Sequence, residues 1–240
     1  MNIDADKATN CTVVTIAGEP KVLIEAAFRA IKKAGELIDM RKHKGGYPSM
    51  GATDICLLIA VANISMEETV LYAQQLAKRV EEALHLPVYL YQAAQACKQH
   101  SNLSPIRAGA YESFAKKIQL PEWKPDYGPQ IFDKKRGATV MGVRDFLVAF
   151  NVNLNTTGTR RANAIAFNIR EAGRNVEQNG LKIDIPGTLK AVKGIGWFIQ
   201  EYGIAQISIN LTNTSITHVH IAFDEMCCKA NARGIRVKGS

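Results

Sequence analysis

Residues Asp54 to Ala62, DICLLIAVA, form a continuous apolar run of strand length between two stretches patterned as helices. A strand apolar all along suits a sheet covered on both faces, or the centre of a sheet covered on one. The stretch before it places Ile24, Phe28, Ile31, Gly35 and Ile38 at helical spacing, with Pro20 where a first helical turn accepts it. After it, Ser65 and Glu68 are spaced as a capping box, and Ala73, Leu76, Val80 and Leu84 share one face. Thr12 to Ala17 and Val88 to Tyr91 are rich in β-branched and aromatic residues and are expected as strands. The resulting β-α-β-α-β order specifies an α/β or α+β sandwich, with sheet layered against helices.

Residues 98–140 are irregular, polar and proline-bearing, with a short helix expected from Tyr111 to Lys117, and read as a functional segment or a connection. A second unit begins near Phe146. Phe146 to Leu154 alternates as a strand, Thr159 to Arg174 as a helix, Leu189 to Ile199 and Gln206 to Leu211 as strands. A helix then carries Val219, Phe223, Met226 and Ala230 and closes at Gly234. This βαββα order is a ferredoxin-like split β-α-β unit short of its sixth element. Ile235 to Val237 would begin that last strand, so the chain is expected to be truncated at both ends. The domains expected are 1–145 and 146–240.

Of the 240 residues, 30 are Lys or Arg and 22 are Asp or Glu, for a net charge of +8. Hydrophobic residues at 47% exclude extended disorder, and no apolar stretch approaches the ~18 residues a membrane span needs. The first ten residues carry two aspartates and no apolar core, unlike a secretory signal. Five scattered cysteines without a CxxC argue against a disulfide framework and a zinc site, and fit a reducing cytoplasm. Cys227 and Cys228 are expected as two helix positions, one buried and one marginal. His218 and His220, two apart on the expected helix, should point to different sides, which argues against a shared metal.

Two segments concentrate chemistry. Arg41, Lys42, His43 and Lys44 follow the first helix, whose partial negative end they could complement as a solvated cap. The loop after them, with Gly45, Gly46, Pro48, Gly51 and Asp54, could equally seat an anion. The second segment is Gly128, Pro129, Gln130, Ile131, Phe132, Asp133, Lys134, Lys135, Arg136 and Gly137. It combines an aromatic ring with three cations, suited to a planar ring and carboxylates or phosphates, or else is a solvated turn. Gly194 and Gly196 lie within a strand pattern and lack phosphate-loop geometry.

The segments LIDMRKHKGGYPSMGATDIC, LPVYLY, LPEWKPDYGP, GATVMGVRDFLVAFNVNLNT and KGIGWFIQEYGIAQISINLT run in order along nearly the whole chain. Together they resemble the formiminotransferase domain of glutamate formimidoyltransferases. The resemblance implies two ferredoxin-like subdomains, each a mixed sheet layered with helices, and a cytoplasmic homodimer. It implies transfer of the formimino group of N-formimino-L-glutamate to N5 of tetrahydrofolate in histidine degradation, with folate as cosubstrate and no metal. Its folate-binding loop falls on Gly128 to Gly137, and an acidic site residue falls near Asp6. Its catalytic histidine lies in Gly-Glu-His-Pro-Arg-Met-Gly, where this chain reads Gly45-Gly46-Tyr47-Pro48-Ser49-Met50-Gly51. Tyr47 thus stands at the histidine position, Gly46 at the glutamate and Ser49 at the arginine. An arginine expected after Asn10 is Cys11, and two strand prolines are Leu57 and Ala60. The substitutions gather at one site, so the alternative reading is a non-catalytic folate-binding or dimerisation module. A nucleic-acid binder would account for the charge but for none of the motifs.

Overall fold

In a computed structural model of the chain, the residues described are 1–6, 10–44, 49–95, 103–178 and 180–240. They divide into two compact units, Met1–Arg144 and Asp145–Ser240.

The first unit opens with a hairpin of β1 (Asn2–Asp6) and β2 (Cys11–Thr15), paired antiparallel from Asn2↔Thr15 to Asp6↔Cys11. Sequence patterning had indicated only the second of these strands. Helix α1 (Pro20–Leu37) begins on Pro20 as expected. Then come β3 (Ile55–Leu58), α2 (Met66–Leu84), β4 (Val88–Gln92), α3 (Leu103–Arg107), α4 (Ala110–Lys117) and β5 (Thr139–Val143). Ser65 accepts from the Glu68 N–H while the Glu68 carboxylate accepts from the Ser65 N–H, so the capping box forms in full. Arg79 of α2 pairs with Glu25 of α1 at 2.6 Å and lies over the Phe28 ring, which ties the two helices together.

The main sheet of this unit has the order β3-β5-β4, all parallel, and the β1-β2 hairpin is a separate sheet. The α+β layering expected from the sequence is present, and among the described residues the strands of this sheet run parallel. Its middle strand, β5, is wholly buried and comes from the end of the segment read as irregular connection. Both faces are covered, as the apolar run implied. Val88, Leu90, Met141 and Val143 pack with Ala73, Leu76 and Val80 of α2. On the other face, Tyr89, Tyr91 and Val140 pack with Ile106, Phe114 and Ile118.

Tyr91 and Gly142 are cross-strand partners in β4 and β5. A Cβ on Gly142 would lie 2.1 Å from Cε1 of Tyr91, so the ring occupies the space a side chain would need. Burial pushes the Tyr91 hydroxyl up to about 12, the mark of a ring held away from water. Gly142→Ala is expected to lower stability by about 1–3 kcal/mol through overpacking. The urea midpoint measures it, and an unchanged midpoint would mean that the ring moves aside without cost.

The second unit contains β6 (Val148–Leu154), α5 (Thr159–Ile169), β7 (Arg174–Gln178), β8 (Leu181–Ile185), β9 (Val192–Ile199), β10 (Ile204–Leu211), α6 (Val219–Asn231) and β11 (Val237–Gly239). The four-stranded sheet has the order β11-β6-β10-β9, antiparallel throughout, the split β-α-β arrangement of a ferredoxin-like unit. The ferredoxin-like unit expected from the βαββα order is thus present, with its described strands antiparallel. Its core joins Val152, Leu154, Ile207 and Ile209 to Ile165 and Ile169 of α5 and Met226 of α6.

Three expectations are corrected here. The last strand is present: β11 pairs with β6 at Val237↔Leu154, so three residues suffice to close the strand order. Helix α5 ends at Ile169, not Arg174, because Arg170 turns extended and its guanidinium donates to the Gly173 and Gly194 carbonyls. The β7-β8 hairpin follows, paired from Arg174↔Ile185 to Gln178↔Leu181. Finally, His218 is the extended N-cap of α6, so its ring stacks on that of His220, centroids 5.7 Å apart, instead of pointing away. No group of three or more His, Cys, Asp or Glu among the described residues could hold a metal ion. Nor is any helix among them long and apolar enough to cross a membrane.

Candidate functional site

Because the three strands of the first unit's main sheet run parallel, their amino ends lie at one edge. The connecting helices return the other way, which brings the C-terminal ends of α1 and α2 to that same edge. The loop Gly128 to Gly137 is built there. Tyr127 bridges the outer edge of β4 through paired bonds with Val88 (2.8 and 3.1 Å). Gly128 then turns with φ 89°, its Cα so close to the Leu86 carbonyl that a Cβ would sit 2.6 Å from the oxygen. Gln130 donates to the Ile118 carbonyl at 2.7 Å, and Ile131 is 67% exposed.

Phe132 sits between Tyr111 and Phe114, with centroids 5.2 and 5.7 Å away. The Tyr111 hydroxyl donates to the Lys134 carbonyl at 2.5 Å. Helix α4, which carries both rings, is held to α3 by Lys117, whose ammonium donates to the Pro105 and Ile106 carbonyls and lies over the Trp123 ring. Asp133 accepts from the N–H groups of Lys135 and Arg136, both at 2.8 Å, and from the Arg136 guanidinium at 2.6 Å. Burial pushes the Asp133 carboxyl up, but these donors outweigh it and the net shift is downward. A carboxylate lowered on folding adds stability above its unfolded value of about 4, and loses it as the pH falls through the lower folded value. Below pH 4 the melting temperature is therefore expected to fall faster for the parent chain than for Asp133→Asn, as acid-range calorimetry would measure.

Lys135 donates to the Glu36 carbonyl at 2.8 Å, and Arg136 to the Leu84 carbonyl at 2.8 Å. These are the final turns of α1 and α2. The cation hydrogen-bonded to the end of α1 thus comes from the distant loop. Arg41 turns back on Asp39 instead, through bonds of 2.7 and 2.5 Å, which hold the Asp39 carboxyl down at about 2.

The same loop is latched by backbone bonds to residues 49–52. The Ala52 N–H donates to the Arg136 carbonyl (2.8 Å), and the Ala138 N–H to the Met50 carbonyl (3.0 Å). Gly51 and Gly137 face each other across this bridge, and Gly137 has φ 72°. A Cβ on Gly137 would lie 2.1 Å from the Met50 carbonyl oxygen. The Met40 N–H adds a bond to the Lys135 carbonyl at 2.9 Å. At the hairpin, Asn10 in the left-handed region donates to the Lys44 carbonyl at 3.1 Å, with the His43 ring 3.4 Å away. The Gly128–Gly137 loop, the ends of α1 and α2, and the chain on either side of residues 45–48 therefore meet at one edge of the sheet. Tyr47 and the side chain of Asp6 lie outside the described residues.

Asp54 is engaged internally: it accepts from the Met50 N–H at 2.8 Å and from the Arg107 guanidinium. Between the helix ends and the loop lies a cavity of about 330 Å³, lined by Ile31, Gly35, Leu84, Leu86, Lys135 and Arg136 among others. Gly194 and Gly196 serve packing, since a Cβ on Gly196 would meet the α5 backbone at 2.3 Å. Cys227 is half-buried and Cys228 exposed. Asn10, Tyr111 and the two helix-end carbonyls were not foreseen as site components. Tyr111 and Phe114, three apart on an expected helix, were the legible signal for the ring cradle.

Residues 1–144 match the Formiminotransferase domain, N-terminal subdomain, and residues 149–240 match the Formiminotransferase domain. The chain belongs to the formiminotransferase domain family. Among its relatives is a Formimidoyltransferase-cyclodeaminase of Gallus gallus, 46% identical over 240 residues, covering 100% of this chain and 43% of that protein. A Mus musculus protein of the same name is 44% identical, with the same coverage. A Glutamate formimidoyltransferase of Streptococcus pyogenes serotype M1 is 34% identical, covering 100% of this chain and 76% of that protein. The chain thus spans less than half the length of the first two relatives and about three quarters of the third. These relatives are transferases by name, and the formiminotransferase domain family uses folate.

Proposed function

We propose that this chain is a formiminotransferase unit that binds tetrahydrofolate through Gly128–Gly137. On this reading it takes the formimino group of N-formimino-L-glutamate, in histidine degradation, as a cytoplasmic homodimer. The observation that carries the proposal is the backbone latch between the Gly128–Gly137 loop and residues 49–52. The latch joins the loop to the segment entering and leaving the Tyr47 motif, as a shared folate and transfer site requires.

In the reaction, N5 of the folate attacks the amidine carbon and a tetrahedral intermediate forms. The bond from that carbon to the glutamate nitrogen then breaks. The N5 proton must leave, and a proton must reach the departing amine, so one group that both accepts and donates serves both steps. By resemblance that group stands at position 47, with Asp6 as a nearby carboxylate. A phenol there is a poor base at neutral pH, since with a pKa ≈ 10 only about one in a thousand is ionised. This observation favours a second reading, a folate-binding module that does not turn over.

The two readings separate when formiminoglutamate and tetrahydrofolate are supplied together and the formimino-folate product is followed. Product formation supports the transferase. A folate-dependent rise in melting temperature without product supports the binding module. Neither product nor a thermal shift would overturn both.

A further inference from the structure

We infer that the three cations of the Gly128–Gly137 loop divide their work. Lys134 meets the glutamate carboxylates of the bound folate, while Lys135 and Arg136 hold the loop and do not touch the ligand. The inference rests on the folate reading of the loop given above.

Two helices end at this edge of the sheet, and each presents the partial negative charge of its last carbonyls. Lys135 and Arg136 are each committed to one of those ends, through the Glu36 and Leu84 carbonyls. Arg136 is further engaged by Asp133, and its aliphatic stem lies against Gly35, where a Cβ would come within 3.0 Å of Cδ. Their charges offset the dipoles and the Asp133 carboxylate, so they leave little field for an incoming anion. Lys134 differs: its side chain is exposed and makes no ion pair or hydrogen bond among the described residues. Its backbone is nonetheless fixed, with its carbonyl held by Tyr111, Phe132 seated between two rings on one side, and the two anchored cations on the other. With the backbone already fixed, pairing this ammonium with a carboxylate costs only the ordering of the lysine side chain itself.

The test titrates tetrahydrofolate and tetrahydropteroate, which lacks the glutamate, into the parent chain, Lys134→Gln and Lys135→Gln, with a melting temperature for each. Lys134→Gln is expected to bind tetrahydrofolate roughly tenfold more weakly, the worth of one charge-assisted hydrogen bond. It should bind tetrahydropteroate as the parent does and melt at the parent's temperature. Lys135→Gln should melt lower and lose affinity for both ligands alike. Loss of both ligands in Lys134→Gln, loss of neither, or a tetrahydrofolate-selective loss in Lys135→Gln would overturn the division of roles while leaving the folate reading intact. A parent chain that binds neither ligand would overturn the folate reading, and the inference with it.

Discussion

Tyr47→His is expected to transfer the formimino group about 10²–10⁴ times faster than the parent chain, the usual worth of a general base. The base has to be unprotonated when N5 loses its proton, and protonated again when the amine leaves. Histidine, with an ordinary pKa ≈ 6.5, is populated in both forms near neutrality. An ordinary tyrosine, with a pKa ≈ 10, is almost entirely neutral there, and each pH unit below 10 costs such a phenol about a factor of ten in phenolate. The two proteins should therefore differ in the shape of their pH–rate profiles as well as in height. The parent's rate should climb about tenfold per unit from pH 7 to 9, whereas the variant should level off above about 7. His43 gives a second arm to this experiment, because its ring lies 3.4 Å from the Asn10 amide, next to the segment entering the motif. If His43 supplies the base, His43→Ala would abolish the parent chain's turnover. Equal rates for parent and Tyr47→His would show that position 47 is not where the proton moves.

Gly137→Ala should unlatch the loop and carry the largest stability loss among single methyl additions to this unit, about 2–4 kcal/mol. Two penalties combine. A left-handed φ of 72° costs any L-residue roughly 1–2 kcal/mol, and the new methyl would meet the Met50 carbonyl oxygen at 2.1 Å. Relief requires parting the Gly51–Gly137 bridge, and with it the bonds through Ala52 and Ala138. The expected readout is a melting temperature lower by about 5–15 °C, accompanied by loss of folate binding. Gly180→Ala is the matched control, because its φ of 77° carries the same backbone cost while nothing lies within 4 Å of the added carbon. If both variants melt alike, backbone strain alone accounts for the effect and the latch contributes nothing.

How much of this was readable in the chain differs from element to element. Helix α2 was predicted from its capping box and apolar face, and forms as expected because both signals operate over three or four residues. The two-faced burial of the first unit's sheet was legible in DICLLIAVA for a similar reason, since a strand without polar positions has no face to leave wet. The run itself became the half-buried strand β3, whereas the fully buried centre went to β5. Thr139 to Val143 is a plain short run that reads as loop, because what selects it is the slot between β3 and β4. The end of α5 at Ile169 has another origin: apolar spacing in the sequence runs on to Ala172, whereas the helix stops where Arg170 turns extended and its guanidinium reaches the Gly173 and Gly194 carbonyls.

At the candidate site the same division holds. The Gly128–Gly137 loop stood out on composition alone, as glycines around an aromatic ring and three cations. Residue types do not reveal which cation serves which purpose. That assignment depends on the ends of α1 and α2, which lie 99 and 52 positions away from Lys135 and Arg136. Sequence patterns specified the elements, their caps and the chemistry available in the loop, because those interactions are local. Folding specified that two positive charges are taken up by helix ends while Lys134 remains exposed. Parallel strands with returning helices bring both carbonyl termini to the edge where the loop is built.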